Sequence, residues 1–417
     1  MGILAKLEIQ NFECFRERTE INLDDATFFI GENNSGKSSI FRAISIFFGE
    51  IKFEGKYLNK TLHKGKRPGY NVSEIIIYFN LNSIKTQALK ERLIRFNLKN
   101  PILKIVKRFT HRDSGDLTEF SINSQSYAIE SLPPDFIQLM NSIKINYIHP
   151  QEGGELLKKA QIKLRNRLLD NWGRSTLMSR EMKSLEEGWT EYRNHASEYL
   201  SSLLTQNVKK FWGKGEVKIT LPKSVKEIIH IGDITFQMDE TFPEIPLTSQ
   251  GTGVQQSILY YASYVLDSDK TMPRNKEYHP IWLLEEPESF LHAELIIKLS
   301  KDLTSDDWLE NLQLLVTTHS GLLLASSMNG RKKIIWNLLD NYQIKESFDP
   351  IALDYALVDR IGSIMGDSNF DVFFYSSLSK IFVEDSSSIL IEKLINAGIN
   401  AKGIGGSSEL KRAFKGH

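Results

Sequence analysis

A turn near the amino terminus has the residue types that bind phosphate. The segment FIGENNSGKSSIFRAI fits GxxxxGK[ST], with an apolar run before it and a helical pattern after it. Glycines let successive backbone N–H groups converge on phosphate oxygens, a lysine adds positive charge, and a serine hydroxyl can ligate Mg²⁺. The candidate residues are Gly31, Asn33, Asn34, Ser35, Gly36, Lys37, Ser38 and Ser39. The alternative is an ordinary Asn- and Gly-rich turn that caps a helix.

Two adjacent glutamates follow a second apolar run, in PIWLLEEPESFLHAEL. Four apolar residues predict a buried strand, which would place Glu285 and Glu286 at its carboxyl end. Glu285 can bind Mg²⁺ directly or through water, and Glu286 can accept the proton of an attacking water molecule. The alternative is a strand end followed by the acidic start of a helix, because Pro287 and Glu288 favour that position.

The elements that must position these residues have a mixed α/β pattern. Strands are predicted at 3–9, 27–30, 74–81, 102–109, 143–148, 216–220, 227–236, 281–284 and 312–316, and helices at 37–48, at 85–96 and from Gly253. The charge-rich stretch 155–212 is predicted to be a helical insertion, and the sequence after 316 to be polar and irregular. A new strand and helix begin at Lys380.

Composition narrows the class of protein. The chain has 417 residues, 41% of them apolar, and 52 basic side chains balance 52 acidic ones, so any contact with nucleic acid must come from local patches. A single cysteine excludes an internal disulfide and agrees with a reducing compartment, which predicts the cytoplasm. No signal peptide pattern and no long apolar stretch is present, so we expect no membrane association.

The segment from Glu285 to His292 resembles the Walker B region of ABC-type ATPase heads, and within them the OLD family (overcoming lysogenization defect). Glu285 departs from the aspartate that transporter heads carry there. The resemblance implies an α/β fold: an ABC-type P-loop ATPase head with a helical insertion, followed by the start of an α/β Toprim domain. It implies the domain order 1–152 for the first part of the head, 153–212 for the helical and dimerisation insertion, 213–345 for the rest of the head, 346–378 for a linker and 379–417 for the incomplete Toprim domain.

The resemblance also implies residues that sense the nucleotide. His319 in LLVTTHSGLLL is implied to be the switch histidine that hydrogen-bonds the γ-phosphate and orients the attacking water. The alternative is a histidine beside a helix N-cap at Ser320. Gln151 stands where such heads carry a glutamine that senses metal and water.

A signature helix is implied by LTSQGTGVQQSILYYASYV. Ser249, Gly251 and Gly253 would cap the γ-phosphate bound by a second subunit, although the segment departs from LSGGQ. Two heads would then enclose two ATP molecules, which implies a homodimer or a higher homo-oligomer. A glycine-rich helix start is the competing interpretation.

The segment KIFVEDSSSILIEKLINAG resembles the first strand and helix of a Toprim domain. Glu384 matches the glutamate that serves metal-dependent phosphodiester chemistry there, both as a catalytic residue and as a metal ligand. Asp385 and Ser388 replace the Gly and Asp of the usual Glu-Gly-x-x-Asp, and the Asp-x-Asp that completes the site is not in this chain. The alternative is an amphipathic helix after a buried strand.

The function implied by the resemblance is Mg²⁺-dependent ATP hydrolysis that controls a Toprim DNA endonuclease in bacterial anti-phage defence. ATP and Mg²⁺ are the implied cofactors, and DNA, a second copy of the chain and a partner defence protein are the implied partners. The basic segments 52–67 and 158–183 are candidates for DNA contact, or are solvated faces. The segment 52–67 is the preferred candidate, because dimer packing explains 158–183 equally well. Two alternatives remain: an ATPase sensor that holds and releases a separate effector, and an SMC-like repair ATPase that clamps DNA.

Overall fold

The computed structural model describes residues 2–59, 72–97, 100–110, 117–122, 125–127, 133–149, 161–162, 176–212, 221–225, 235–236, 243, 245–268, 277–327, 333–350, 355–365, 381–383 and 401–403. The chain divides into two compact units, residues 1–151 with 267–417 and residues 152–266. The strands are β1 Leu4–Gln10, β2 Thr19–Asn22, β3 Ala26–Gly31, β4 Val72–Asn80, β5 Ile102–Thr110, β6 Leu117–Ile122, β7 Gln125–Tyr127, β8 Ile143–Ile148, β9 Thr235–Phe236, β10 Ile245–Pro246, β11 His279–Glu285, β12 Gln313–Thr318, β13 Ile334–Asp340, β14 Gln343–Phe348, β15 Ile381–Val383 and β16 Ala401–Gly403. The helices are α1 Lys37–Phe48, α2 Gln87–Phe96, α3 Pro134–Ser142, α4 Thr176–Trp212, α5 Thr252–Ser268, α6 Ala293–Leu303, α7 Asp306–Asn311, α8 Gly321–Ser326 and α9 Tyr355–Met365.

A six-stranded sheet in the first unit carries the predicted nucleotide motifs. Its order is β14-β13-β3-β12-β11-β8, and every neighbouring pair is parallel except β13 with β14. Every residue of β3, β11 and β12 is buried, as expected for parallel strands covered on both faces. Because these strands run in the same direction, the turns that follow β3, β12, β11 and β8 meet at one edge of the sheet.

A second sheet, of order β2-β1-β4-β5-β6-β7, is antiparallel. The side chain of Gln313 connects the two sheets. Its Oε1 accepts from the N–H of Leu4 at 2.9 Å, and its Nε2 donates to the carbonyl of Leu4 at 2.7 Å. Gln313 is the first residue of β12, so this amide holds β1 beside the start of a parallel strand.

Helix α1 spans residues 37–48, as the sequence predicted. One cluster of buried apolar side chains contains residues of both sheets and of α1. Phe41 makes edge-to-face contacts with Phe29 of β3 and Tyr147 of β8, both with ring centroids 5.9 Å apart. At the other end of α1, Lys107 Nζ donates to the carbonyl of Phe47 at 2.5 Å, which satisfies an acceptor of the last turn.

The prediction of irregular sequence after residue 316 was wrong. Strands β13 and β14 form a hairpin there, and β13 pairs with β3 along its whole length. The turn residues Asn341 and Tyr342 have φ values of 49° and 63°, as a two-residue hairpin turn with matching twist requires. The apolar run IIWNLLD was the signal for this strand.

The second unit contains the long helix α4, of 37 residues. Trp189 Nε1 donates to the carbonyl of Pro222 at 3.0 Å, so one face of α4 is attached to the segment 221–225. Leu185, Tyr192 and Tyr199 recur at every seventh position and are 54%, 63% and 68% exposed. The predicted strand at 216–220 lies outside the described residues, as does most of the predicted strand at 227–236. The described part of the second prediction is β9, at its carboxyl end.

Near the carboxyl terminus, β15 and β16 pair in parallel. Glu384, which directly follows β15, lies outside the described residues. No helix in the described part of the chain combines the length and the apolar character needed to cross a bilayer.

Candidate nucleotide-binding site

The turn between β3 and α1 contains two glycines that no other residue could replace without a clash. A Cβ on Gly31 would lie 2.5 Å from the carbonyl oxygen of Leu339. Gly36 is the N-cap of α1 with φ at 105°, and a Cβ there would lie 2.9 Å from Cys14 Sγ. No side chain caps α1 at Gly36, so the first-turn N–H groups face the turn, where an anion is favoured.

Lys37 lies under this turn and is only 7% exposed. Its Nζ donates to the carbonyls of Gly31 and Glu32, each at 2.8 Å. Burial lowers the pKa of Lys37 to about 8, against the opposing effect of the negative charges on Glu286, Glu288 and Glu285. The structure therefore brings the lysine of the turn into the field of the carboxylates that follow β11.

Glu285 is the last residue of β11 and is 5% exposed. The register explains its position, because Glu285 pairs with Thr317 of β12 and its neighbour Leu284 pairs with Ile148 of β8. His149, the residue after β8, places its Nε2 2.9 Å from Glu285 Oε2. The other carboxylate oxygen of Glu285, Oε1, is buried and has no hydrogen-bond partner in the part of the chain that the structure describes.

Glu286 turns away from the strand with φ at 43°, in the left-handed region that a glutamate rarely adopts. Its N–H donates to the carbonyl of Thr317 at 2.9 Å, which holds the backbone there. His319 Nε2 lies 3.0 Å from Glu286 Oε1, and this hydrogen bond lowers the pKa of Glu286. Backbone strain of this kind is found at functional sites, where surrounding contacts maintain it.

Glu288 is the third carboxylate of this group. Its Oε1 accepts from Thr318 Oγ1 at 2.6 Å and from the N–H of His319 at 3.0 Å. Burial raises the pKa of Glu288, although these hydrogen bonds act in the opposite direction. The alternative interpretation, a helix start at Pro287 and Glu288, does not hold, because residues 287–290 form a turn and α6 begins at Ala293.

The remaining residues of the phosphate turn differ in exposure. Asn33, Asn34 and Ser38 are partly or fully exposed, whereas Ser35 and Ser39 are buried. Ser39 Oγ accepts from Cys14 Sγ at 3.6 Å and from Arg42 Nη2 at 3.4 Å, and Arg42 in turn pairs with both carboxylate oxygens of Glu13. Asn34 Nδ2 donates to the hydroxyl of Tyr342 at 3.3 Å, which connects the turn to the β13–β14 hairpin.

The residues of the predicted signature segment lie in the second unit. Ser249 ends a short 3-10 turn, Gly251 is exposed with open space where a Cβ would lie, and Gly253 lies in the first turn of α5. Gln255 Nε2 donates to the carbonyls of Thr248 and Gln250, which closes this turn onto the helix. Gln151 lies outside the described residues.

Sequence reasoning missed three residues of this region: His149, Glu288 as a partner of His319, and Tyr342. His149 directly follows a predicted strand, so its proximity to the glutamates could have been inferred once β8 was placed next to β11. Tyr342 was missed because the hairpin was missed.

Comparisons with known proteins bear on the family and the fold. The model of the family described as AAA ATPase domain matches residues 3–148, which include the phosphate turn. A structure described as the SmcHead bound to the C-winged helix domain of ScpA matches with a TM-score of 0.55 and 15% identity, over 85% of this chain and 99% of that chain. The chain has an α/β fold that resembles the head of SMC and ABC-type ATPases. At this identity the likeness to that structure concerns the fold alone.

Two further structures of the same type match less well. The SMC head domain from Thermotoga maritima has a TM-score of 0.42 and 14% identity, over 84% of this chain and 99% of that chain. The Smc head domain with a coiled coil and joint derived from Pyrococcus yayanosii has a TM-score of 0.45 and 11% identity, over 88% of this chain and 100% of that chain. No curated protein matches this chain by sequence. The family match ends at residue 148, before the glutamates that follow β11.

Proposed function

We propose that the turn after β3 binds the phosphates of ATP and that the residues after β11 and β12 hydrolyse it. The observation that carries this proposal is that Lys37, after β3, and Glu285, Glu286 and Glu288, at the end of β11, lie at the same edge of the parallel sheet, where β12 pairs with both strands. A buried lysine, a helix N-terminus and three carboxylates at one edge suit a bound phosphate with a metal ion better than they suit a structural ion-pair network.

Binding follows from the geometry of the turn. The N–H groups of the first turn of α1 donate to phosphate oxygens, and Lys37 Nζ exchanges its carbonyl acceptors, those of Gly31 and Glu32, for phosphate oxygens. Asn33, Asn34 and Ser38 are exposed enough to contact the ligand directly. Ser35 Oγ is buried without a hydrogen-bond partner in the described residues, so it is available to a phosphate that enters the turn.

Hydrolysis needs an attacking water molecule and an acceptor for its proton. Glu286 is the acceptor, and His319 hydrogen-bonds the γ-phosphate and the water. In the structure these two side chains contact each other at 3.0 Å. Because this hydrogen bond keeps the pKa of Glu286 low, a γ-phosphate that takes His319 away from Glu286 would make Glu286 a stronger base and couple ligand binding to its activation.

The donor set also fits a magnesium ion. Glu285 offers a buried oxygen without a hydrogen-bond partner in the described residues, and Ser38 offers a hydroxyl from the first turn of α1. Within the described residues no three His, Cys, Asp or Glu side chains form a metal cluster, which agrees with Mg²⁺ sites that use few protein ligands plus phosphate and water. We propose Ser38, Glu285 and Gln151 as ligands. When bound, the ion neutralises charge that develops on the phosphate oxygens.

We propose further that two heads associate around ATP, with Ser249, Gly251 and Gly253 of each copy facing the phosphate of the other. The exposed stripe Leu185, Tyr192 and Tyr199 of α4 supports a contribution of the helical insertion to the same dimer. Its heptad spacing is typical of a helix that packs against another helix.

The biological role we propose is that of an OLD-family protein. ATP turnover would control a Toprim DNA endonuclease, with Glu384 as a catalytic metal ligand, in bacterial anti-phage defence. The residues from Glu285 to His292 support the family, and the parallel pairing of β15 with β16 agrees with the start of an α/β domain. The segments 52–67 and 158–183 are the proposed DNA contacts, and a partner defence protein is a further proposed partner.

A second candidate function is an SMC-like ATPase that clamps DNA, because the head fold resembles an SMC head. An ATPase sensor that releases a separate effector is the third. The complete protein distinguishes them: Mg²⁺-dependent cleavage of plasmid DNA that is lost in Glu384→Ala supports the nuclease. Intact DNA with continuing ATP turnover supports the clamp or the sensor.

The ATPase proposal itself is tested with two variants. Lys37→Ala should abolish nucleotide binding, measured with a fluorescent ATP analogue, because the anion loses its buried cation. Glu286→Gln should bind nucleotide normally and stop phosphate release. Normal turnover by Glu286→Gln would show that another group accepts the proton.

A further inference from the structure

Glu288 connects the turn after β11 with the turn after β12. Its Oε1 accepts two hydrogen bonds, from Thr318 Oγ1 at 2.6 Å and from the N–H of His319 at 3.0 Å. Thr318 Oγ1 also accepts from the N–H of Ser320 at 2.9 Å, and Ser320 Oγ caps α8 through the N–H of Leu323 at 3.2 Å. One carboxylate oxygen thus holds the N–H of His319 directly and the N–H of Ser320 through the hydroxyl of Thr318.

The ring of His319 depends on this backbone for its position. Its Nε2 lies 3.0 Å from Glu286 Oε1, while its side chain is still 27% exposed. Packing alone does not fix a ring that is only partly buried, so the hydrogen bonds at its backbone contribute to its position.

The donors to Glu288 show whether this side chain acts through its charge or as a hydrogen-bond acceptor. Both are neutral, a hydroxyl and a backbone amide. The second oxygen, Oε2, is buried and has no hydrogen-bond partner in the described part of the chain. Glu288 therefore acts here as a hydrogen-bond acceptor through one oxygen, and its charge is not matched by a cation within hydrogen-bond distance in that part.

A simpler explanation would make Glu288 a helix-terminal acid. The structure does not support it, because α6 begins at Ala293 and its N-cap is His292, four residues after Glu288. The first-turn acid of α6 is Glu294 instead.

We propose that Glu288 is the positioning residue of His319, and that it holds His319 by accepting two hydrogen bonds at Oε1. This inference rests on the proposed function, in which His319 contacts the γ-phosphate. Glutamine keeps an acceptor oxygen at the same place, whereas alanine removes it. The two substitutions therefore separate the acceptor from the charge.

The test uses the protein labelled with ¹³C at histidine Cε1, with the His319 cross-peak assigned by its loss in His319→Ala. Glu288→Ala should shift this cross-peak, and Glu288→Gln should leave it near the wild-type position. Glu294→Ala is the matched control, because this exposed glutamate pairs with Lys298 and should leave the cross-peak unchanged. The spectrum requires no ATP turnover, so it tests the positioning role even if hydrolysis is not observed.

Kinetics supply the second readout. Glu288→Ala should lower kcat about tenfold or more with a much smaller change in KM, and should add no further loss in a His319→Ala background. Glu288→Gln should retain most of the wild-type kcat. An unmoved cross-peak in folded Glu288→Ala, or equal damage by Gln and Ala, would overturn the proposal.

A variant that keeps the carboxylate covers the case in which Glu288→Ala does not fold. Thr318→Val removes one of the two hydrogen bonds to Oε1 and should shift the His319 cross-peak in the same direction. A folded Thr318→Val protein with the cross-peak at its wild-type position contradicts the proposal.

Discussion

His149 Nε2 lies 2.9 Å from Glu285 Oε2, across the boundary between β8 and β11. The two strands are parallel neighbours, and Leu284 pairs with Ile148, so the residues that follow each strand meet. His319 contacts Glu286 from the opposite side, where β12 pairs with β11. Each of the two glutamates is thus held by a histidine from a different neighbouring strand.

The first prediction concerns this contact. His149→Ala should raise the Mg²⁺ concentration needed for half-maximal ATP turnover by about tenfold, because a side chain that orients a metal ligand contributes to metal affinity. The measurement is phosphate release as a function of Mg²⁺ at saturating ATP. His195→Ala, an exposed histidine of α4, is the control and should keep the wild-type dependence. An unchanged Mg²⁺ requirement in His149→Ala would rule out the orienting role.

The second prediction concerns the phosphate turn. Gly36→Ala should lower the free energy of unfolding by at least about 1–2 kcal/mol, because alanine is unfavourable at φ 105°. It should also weaken ATP binding, since the new Cβ lies 2.9 Å from Cys14 Sγ. Denaturation curves and nucleotide titration provide the measurements. Adding Cys14→Ala should recover part of the loss by removing the sulfur, and no recovery would show that the backbone cost alone explains the effect.

The third prediction concerns acid stability. Burial alone would raise the pKa of Glu277, but hydrogen bonds from His279 and from the N–H groups of Thr86 and Lys85 lower it from 4.5 to about 2. Because the folded pKa is the lower one, this stabilisation is complete above pH 4.5 and is lost as the pH falls toward 2. This pKa shift corresponds to a contribution of about 3 kcal/mol from Glu277 to the free energy of unfolding.

Glu277→Gln tests this assignment. The variant should be less stable than wild type at neutral pH, and the difference should shrink as the pH falls below 4.5. Urea denaturation at pH 6 and at pH 3 gives the two values. Glu310→Gln, an exposed glutamate nearby, should behave like wild type at both. A constant difference between Glu277→Gln and wild type across this range would contradict the pKa assignment.

The fourth prediction concerns the carboxylate of Asp267, near the end of α5. Its Oδ2 accepts from Trp282 Nε1 at 2.8 Å and from Asn146 Nδ2 at 2.6 Å, and its Oδ1 accepts from the hydroxyl of Tyr278 at 2.7 Å. Asp267→Ala should lower the free energy of unfolding by about 2–3 kcal/mol, because the fully buried indole of Trp282 loses its acceptor. Thermal and urea unfolding measure the loss. In a Trp282→Phe background, which has no indole N–H at this position, Asp267→Ala should lower the free energy of unfolding by less. An equal loss in both backgrounds would exclude this hydrogen bond as the cause.

Local sequence patterns predicted most of the parallel sheet. Strand β8 lies at 143–148 and helix α1 at 37–48, as their apolar patterns indicated. The apolar residues of β8 alternate with polar ones, and those of α1 recur at helical spacing, so both patterns are local and depend little on distant residues. The hairpin β13–β14 was missed because β14 is a short, mostly polar strand. Its extended backbone is stabilised by antiparallel pairing with β13, which the sequence of β14 does not reveal.

The residues of the candidate site also fall into those that a local pattern predicts and those that only tertiary contacts reveal. Gly31, Gly36 and Lys37 belong to one short turn, whose spacing alone predicts a phosphate site. His149 and Glu288 are different, because their roles depend on contacts with residues that are distant in sequence or on a neighbouring strand.

By itself, the sequence determined the chemistry available to this protein: a phosphate-binding turn, two adjacent carboxylates after a buried strand, and a histidine after the next strand. These are local patterns, and local backbone preferences and hydrophobic periodicity produce them. Only the tertiary structure decided which side chains meet. Strand order and register place His149 on Glu285, His319 on Glu286 and Glu288 on the backbone of His319. A register is a property of paired strands, so no single segment of the chain contains it.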